Sequence, residues 1–261
     1  MFPSCHWLGD QKALLSGQVL ADWATGQNSA CPQELLSRPF APFTMTPSKL
    51  YDRRQAGRLL AERLMSAQSS ETGWVIALPR GGVPVGYEIA QRLRWPLDIW
   101  LVRKLGVPNQ PELAMGAIAV PDMQILNRAL VNRLGVTPDQ IAAVVQTELQ
   151  ELQRRDRQYR AGRPLPAITQ RPVILVDDGV ATGATLKAAI AALRKFRPQS
   201  ITVAVPVAAP QSWRHIRRQA DAAVCLITPA NMGAISQWYD HFEAVTDTAV
   251  VELLTACQLD E

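Results

Sequence analysis

From residue 74 to residue 227 the chain alternates two hydrophobic rhythms. Short apolar runs bounded by turn residues predict buried strands at "WVIAL" (74–78), "LDIWLVRK" (97–104), "VILV" (173–176), "SITVAVPVA" (200–208) and "AAVCLIT" (222–228). Between them, apolar residues recur every three or four positions and predict helices at 83–93, 183–196 and 210–220. An earlier helix is predicted over 51–67, where Ala56, Leu59, Leu60, Leu64 and Ala67 share one face. A long amphipathic helix is predicted over 137–160, with Pro138 in the first turn where proline is tolerated. A last short helix falls near 247–257. Alternation of this kind predicts an α/β fold, a mainly parallel sheet flanked by helices on both faces. Ligands of such sheets bind beyond the carboxyl ends of the strands.

Some segments break the rhythm. "LGVPNQPELAMG" (105–116) is polar and holds two prolines, so it reads as a mobile loop, while "AIAVPDMQILN" (117–127) reads as a short hairpin. Residues 1–47 are rich in Ser, Pro, Gln and Ala and end in a proline-punctuated linker. They read as an irregular extension, with Met45 as a conceivable alternative start, ahead of one domain over 48–261.

Composition narrows the classes. The 261 residues suffice for a sizeable core, and 48% apolar with 19% charged fits a globular protein. A net charge of +4 suits an anionic ligand without pointing to nucleic acid. The densest basic run, Arg154, Arg155, Arg157, Arg160 and Arg163, reads as the solvated end of the long helix. Four cysteines without a CxxC pair and three scattered histidines offer no metal-ligand spacing. Neither an apolar run of membrane-spanning length nor a signal-peptide pattern is seen, so a cytoplasmic protein without a membrane partner is expected.

Candidate chemistry sits at three predicted strand ends: "PRGG" (79–82), "RK" (103–104) and "DDGVATGAT" (177–185). Adjacent carboxylates repel, so Asp177 and Asp178 call for something outside the chain to offset that cost. The loop Gly179, Val180, Ala181, Thr182, Gly183, Ala184, Thr185 feeds a helix, and a helix start with free N–H groups suits a phosphate. It has neither the Gly-Lys-Ser/Thr ending of a P-loop nor the G-x-G-x-x-G spacing of dinucleotide folds. Paired carboxylates can accept hydrogen bonds from the vicinal hydroxyls of a ribose, and Mg²⁺ can bridge such hydroxyls to phosphate oxygens. Taken singly, "PRGG" reads as well as a simple turn, and "RK" as two solvated cations.

"VILVDDGVATGAT" resembles the ribose-phosphate motif of the type I phosphoribosyltransferases. "ALPRGG" is similar to that family's pyrophosphate loop, and "LVRKLGVPNQPELAMG" to its flexible catalytic segment. The resemblance covers 51–255 and implies a Mg²⁺-dependent transfer of a 5-phosphoribosyl group from 5-phosphoribosyl 1-pyrophosphate (PRPP) to a nitrogenous, base-like acceptor. It also implies a homodimer and a small hood over the base. Asp177 and Asp178 would hold the ribose hydroxyls and, through them, the metal. Residues Gly179 to Thr185 would hold the 5-phosphate, and Gly81, Gly82 and Arg103 the pyrophosphate. Arg80, Lys104 and Glu112 would be catalytic. Trp238, Tyr239 and Phe242 would furnish the hood, either stacking on the base or packing its own core. One position departs from the pattern: family members acting on 6-oxopurines carry an acid where this chain has Ala181. The rival reading is a PRPP-binding sensor that lacks transfer.

Overall fold

The computed structural model describes residues 48–65, 71–120 and 123–257, and for Glu112 the backbone alone. The extension over 1–47 lies outside the described residues. Five parallel strands form the central sheet: β1 (Trp74–Ala77), β2 (Leu97–Ile99), β6 (Pro172–Val176), β7 (Ser200–Val207) and β8 (Ala222–Ile227). Their order is β2-β1-β6-β7-β8, so β1 and β6 lie side by side with Ala77 opposite Val176. The predicted mainly parallel sheet is thus found.

Side chains alternate across this sheet. Val75, Ala77, Ile174 and Val176 join the core on one face with Leu60 of α1 (Arg53–Met65), Ile89 of α2 (Gly82–Leu93) and Val250 of α7 (Asp247–Ala256). Ile76, Val173, Leu175 and Val203 join the other with Leu186 of α5 (Ala184–Arg194) and Ile216 of α6 (Pro210–Arg217). Both faces are therefore covered, as continuous apolar strands require.

Two expectations are corrected. The run 97–104 is not one strand. It ends at Ile99, and a second, antiparallel sheet starts with β3 (Val102–Val107), β4 (Gln110–Ala119) and β5 (Met123–Leu126). The stretch 105–116 is the body of the β3–β4 hairpin rather than a loop. Its apolar residues Leu105, Val107 and Met115 are buried and anchor it, while Asn109 takes the left-handed backbone of the turn at φ 65. Pro111 sits near the start of β4, a strand position that proline tolerates.

The short helix α3 (Arg128–Leu134) precedes the long helix α4 (Pro138–Arg160), which starts with a reciprocal cap. Thr137 Oγ1 accepts from Gln140 N at 3.3 Å, and Gln140 Oε1 accepts from Thr137 N at 2.9 Å. At the far end of α4 the solvated-arginine reading holds for Arg154 and Arg157, which are exposed, and is corrected at Arg160. Arg160 is 2% exposed, donates from Nη1 to Asp98 Oδ2 at 2.8 Å, and also donates to the carbonyl of Ile99. It therefore pins the edge strand β2 to α4. Burial pushes the Asp98 carboxyl up, against the opposing pull of Arg160.

Candidate active site

The two acids leave the sheet at its centre. β6 ends at Val176, and Asp177 and Asp178 follow at the carboxyl end. β1 ends beside it, so the Pro79–Gly82 turn lies against the acids. The approach is close enough to demand glycine: a Cβ on Gly81 would stand 1.9 Å from Asp178 Oδ2, and one on Gly82 2.8 Å from the Val176 carbonyl oxygen. The Pro79–Arg80 peptide is cis. Gly81→Ala is expected to cost about 1–3 kcal/mol through overpacking, read as a lower chemical-denaturation midpoint.

The loop 179–185 is built in two parts. Val180 is buried and used structurally: its N–H donates to Val207 O at 2.8 Å, and its carbonyl accepts from Ala209 N at 2.8 Å. This corrects its expected place as a phosphate donor. The remaining turn is held from outside by Ser212, whose Oγ donates to Ala181 O at 2.6 Å. Gly183 then takes φ 73 immediately before α5. Thr182 Oγ1 accepts from Ala184 N at 3.4 Å. Ala184 and Thr185 open a helix whose first-turn N–H groups have no intrahelical acceptor.

Electrostatics at the acids are unusual. Burial, then the charge of Asp178, holds Asp177 well above the ordinary carboxylate range. Burial raises Asp178 as well, opposed by Arg53. Arg53 Nε donates to Asp178 Oδ2 at 2.8 Å. No local sequence signal marks Arg53: it is the first residue of a helix 125 positions upstream of that acid, and only the tertiary fold brings it there.

The segment 235–246, where the hood is expected, packs next to the first described residues. Leu50 N donates to Trp238 O at 2.9 Å, and His241 N donates to Tyr51 O at 2.8 Å. Trp238 and Tyr239 serve the segment's own packing, while Phe242 also lines the cleft. Trp238 Nε1 donates to Met232 O at 2.7 Å. Tyr239 is buried and donates from its hydroxyl to the backbone carbonyl of Asp178 at 2.6 Å. Phe242 has the Arg53 guanidinium 3.7 Å above its ring centroid and Tyr239 beside it at 4.9 Å.

A cleft of about 550 Å³ lies between these parts, lined by Arg80, Gly81, Asp178, Ala181, Ile235 and Phe242 among others. Arg80 is 44% exposed, its Nη1 3.6 Å from Asp247 Oδ1. Arg103 is drawn elsewhere. It belongs to β3, and Glu148 of α4 binds it through Nε at 2.6 Å and Nη2 at 2.5 Å. It still borders a small crevice with Pro79, Thr185 and Arg155, so it lies near the predicted site without being an unpaired cation. Lys104 is in β3, and the Glu112 backbone is in β4, within the hairpin found in place of the expected loop. The Pro79–Gly82 turn, the acid-bearing loop and the 235–246 segment therefore meet around one cleft, and Arg103 stands beside it.

The phosphoribosyl transferase domain matches this chain over residues 48–237. The chain belongs to that family. Two Mycobacterium tuberculosis proteins, from strains CDC 1551 / Oshkosh and ATCC 25618 / H37Rv, are named as candidate phosphoribosyl transferases. Each is 43% identical to it over 213 residues, which is 81% of this chain and 48% of the relative. The chain thus spans about half the length of those relatives. The crystal structure of TT1426 from Thermus thermophilus is similar at 38% identity and a TM-score of 0.72, covering 80% of this chain and 98% of that one. The matched span includes the sheet, the two glycine-bearing turns and the acids between them. Among the described residues no group of three His, Cys, Asp or Glu is placed to hold a metal. Asp177 and Asp178 offer oxygen donors of the kind a hard divalent cation takes. Among the described residues no helix is long and apolar enough to cross a membrane.

Proposed function

We propose that the chain transfers a 5-phosphoribosyl group from PRPP to a nitrogenous, base-like acceptor. The observation that carries this reading is the placement of the adjacent acids Asp177 and Asp178 between two glycine-bearing turns, Pro79–Gly82 and 179–185, with Asp178 lining the cleft. The carboxylates accept hydrogen bonds from the ribose hydroxyls. The 5-phosphate lies at the start of α5, where N–H groups and the helix dipole favour an anion. The diphosphate lies along Arg80, Gly81 and Gly82.

In the transfer, the bond from C1 to the diphosphate oxygen breaks and a bond from C1 to the acceptor nitrogen forms. The diphosphate leaves with the electron pair, and the acceptor nitrogen loses its proton. C1 carries oxocarbenium character between the two events. Arg80 supplies fixed positive charge where charge builds on the leaving group, and Lys104 is assigned the same part. Asp177 and Asp178 are the residues that would hold Mg²⁺, indirectly, and the ion would supply neutralisation of the phosphate charge. Glu112 is the proposed proton acceptor.

Ala181 lines the cleft; it stands where the family's 6-oxopurine members carry an acid, so unless Glu112 takes over that part for a 6-oxopurine, hypoxanthine and guanine are expected to be poor acceptors. General acid–base assistance is worth roughly 10²–10⁴-fold, and Ala181→Asp should recover part of it. The test is diphosphate release from PRPP and Mg²⁺ with a panel of bases. Release with adenine, an orotate-like pyrimidine or an amine, but little with hypoxanthine, supports this reading. Efficient turnover of hypoxanthine by the unmodified protein refutes the Ala181 argument. Binding of PRPP without release for any acceptor favours a sensor instead.

A further inference from the structure

Arg53 lies outside every motif that suggested the site, yet it joins the two sides of the cleft. Its Nε donates to Asp178 Oδ2 at 2.8 Å, and its Nη1 donates to Glu243 O at 2.9 Å. Its guanidinium stacks 3.7 Å from the Phe242 ring centroid, and the side chain is only 12% exposed. One planar group thus holds a ribose-binding acid on one edge and the hood on another. The fork of donors in arginine permits this, whereas a lysine ammonium offers a single point of charge.

The hood has a second link to the same residue, and the contrast is informative. Tyr239 donates to the backbone carbonyl of Asp178. That bond does not depend on what the carboxylate binds. The Arg53 bond goes to the carboxylate itself. A ligand that engages Oδ2 therefore changes one bond of a guanidinium whose other contacts fix the hood. A conformational response needs such a difference in interaction between the free and bound states.

We infer that Arg53 is a positioning residue that couples occupancy of the Asp178 carboxylate to the placement of the hood segment 239–246. The identity of the occupant rests on the donor reading above; the coupling rests on the bonds of Arg53. A plain structural clamp would steady the hood without regard to the state of Asp178.

The test is amide hydrogen exchange of 239–246, with the β7 amides as internal reference. It is run on ligand-free wild type, Arg53→Ala, Asp178→Asn and the double variant, each first shown to be folded by a cooperative melt. Each single change is expected to speed hood exchange by roughly threefold or more, the lower range of coupling between residues in contact. The double variant should exchange no faster than the faster single one. Arg53→Lys should behave like Arg53→Ala. Hood exchange unchanged in Asp178→Asn, or a double variant equal to the product of the singles, would overturn the coupling. With PRPP and Mg²⁺ added, wild-type hood exchange should shift and that of Arg53→Ala should not; an equal shift in both would also overturn it. If wild type does not bind PRPP, the donor reading fails, while the ligand-free cycle still decides the coupling.

Discussion

Arg160→Ala is expected to destabilise the fold by roughly 3–5 kcal/mol, the scale of breaking a buried ion pair from one side. Arg160 is 2% exposed and its partner Asp98 only 7%. The guanidinium binds the carboxylate and the carbonyl of Ile99, and its Nε stands 3.0 Å from Asp156 Oδ1. Removing it strands a buried carboxylate whose own environment already disfavours charge. Replacing both members with apolar residues of similar volume, Asp98→Leu with Arg160→Met, should return most of the loss, because the pair's desolvation cost disappears with it. Urea denaturation of Arg160→Ala and of the double variant measures this. A double variant as unstable as Arg160→Ala alone would show that the loss lies in packing rather than in an unpaired charge.

Asp177→Asn is expected to stabilise the ligand-free protein at neutral pH and to weaken donor binding. Asp177 is held well above its ordinary value of 3.8 by burial and by Asp178. A carboxyl with a raised folded pKa favours folding in its protonated form. That contribution is fully present below pH 3.8 and is lost as pH rises through the raised value. Wild-type stability should therefore carry a falling component across this window, and Asp177→Asn should remove it. Denaturation midpoints from about pH 4 to about pH 9 test the sign. Midpoints of the variant below wild type throughout would contradict it. The same amide cannot offer a charged acceptor to a hydroxyl. Donor affinity should fall by roughly 2–3 kcal/mol, or about 30- to 150-fold. A gain in stability matched by a loss of binding is what a site that stores unfavourable charge for its ligand should show.

Legibility in the sequence follows the locality of the signal. The apolar strands and periodic helices of the parallel sheet can be read because each is decided by residues within one window. "VDDGVATGAT" and "PRGG" can be read because turn chemistry and paired acids are local as well. Their adjacency follows from strand pairing. The β3–β4 hairpin cannot be read. Its buried residues are spread thinly through a polar stretch with two prolines, and only pairing with β5 and packing against α4 reveal them. Arg160 escapes a local reading for the same reason: it is the buried member of a basic run, and its partner lies 62 positions away. Arg53, Glu148 and the structural use of Val180 are tertiary facts that carry no mark in their own neighbourhoods.

The donor site is tested most directly by calorimetric titration of PRPP with Mg²⁺ into wild type and into the Asp177→Asn, Asp178→Asn double variant. The expected result is a saturable isotherm for wild type and at least a roughly 30-fold loss of affinity in the double variant, the scale of about 2 kcal/mol of lost charge-assisted hydrogen bonds. Equal affinity in both proteins would contradict a donor site built on the paired acids.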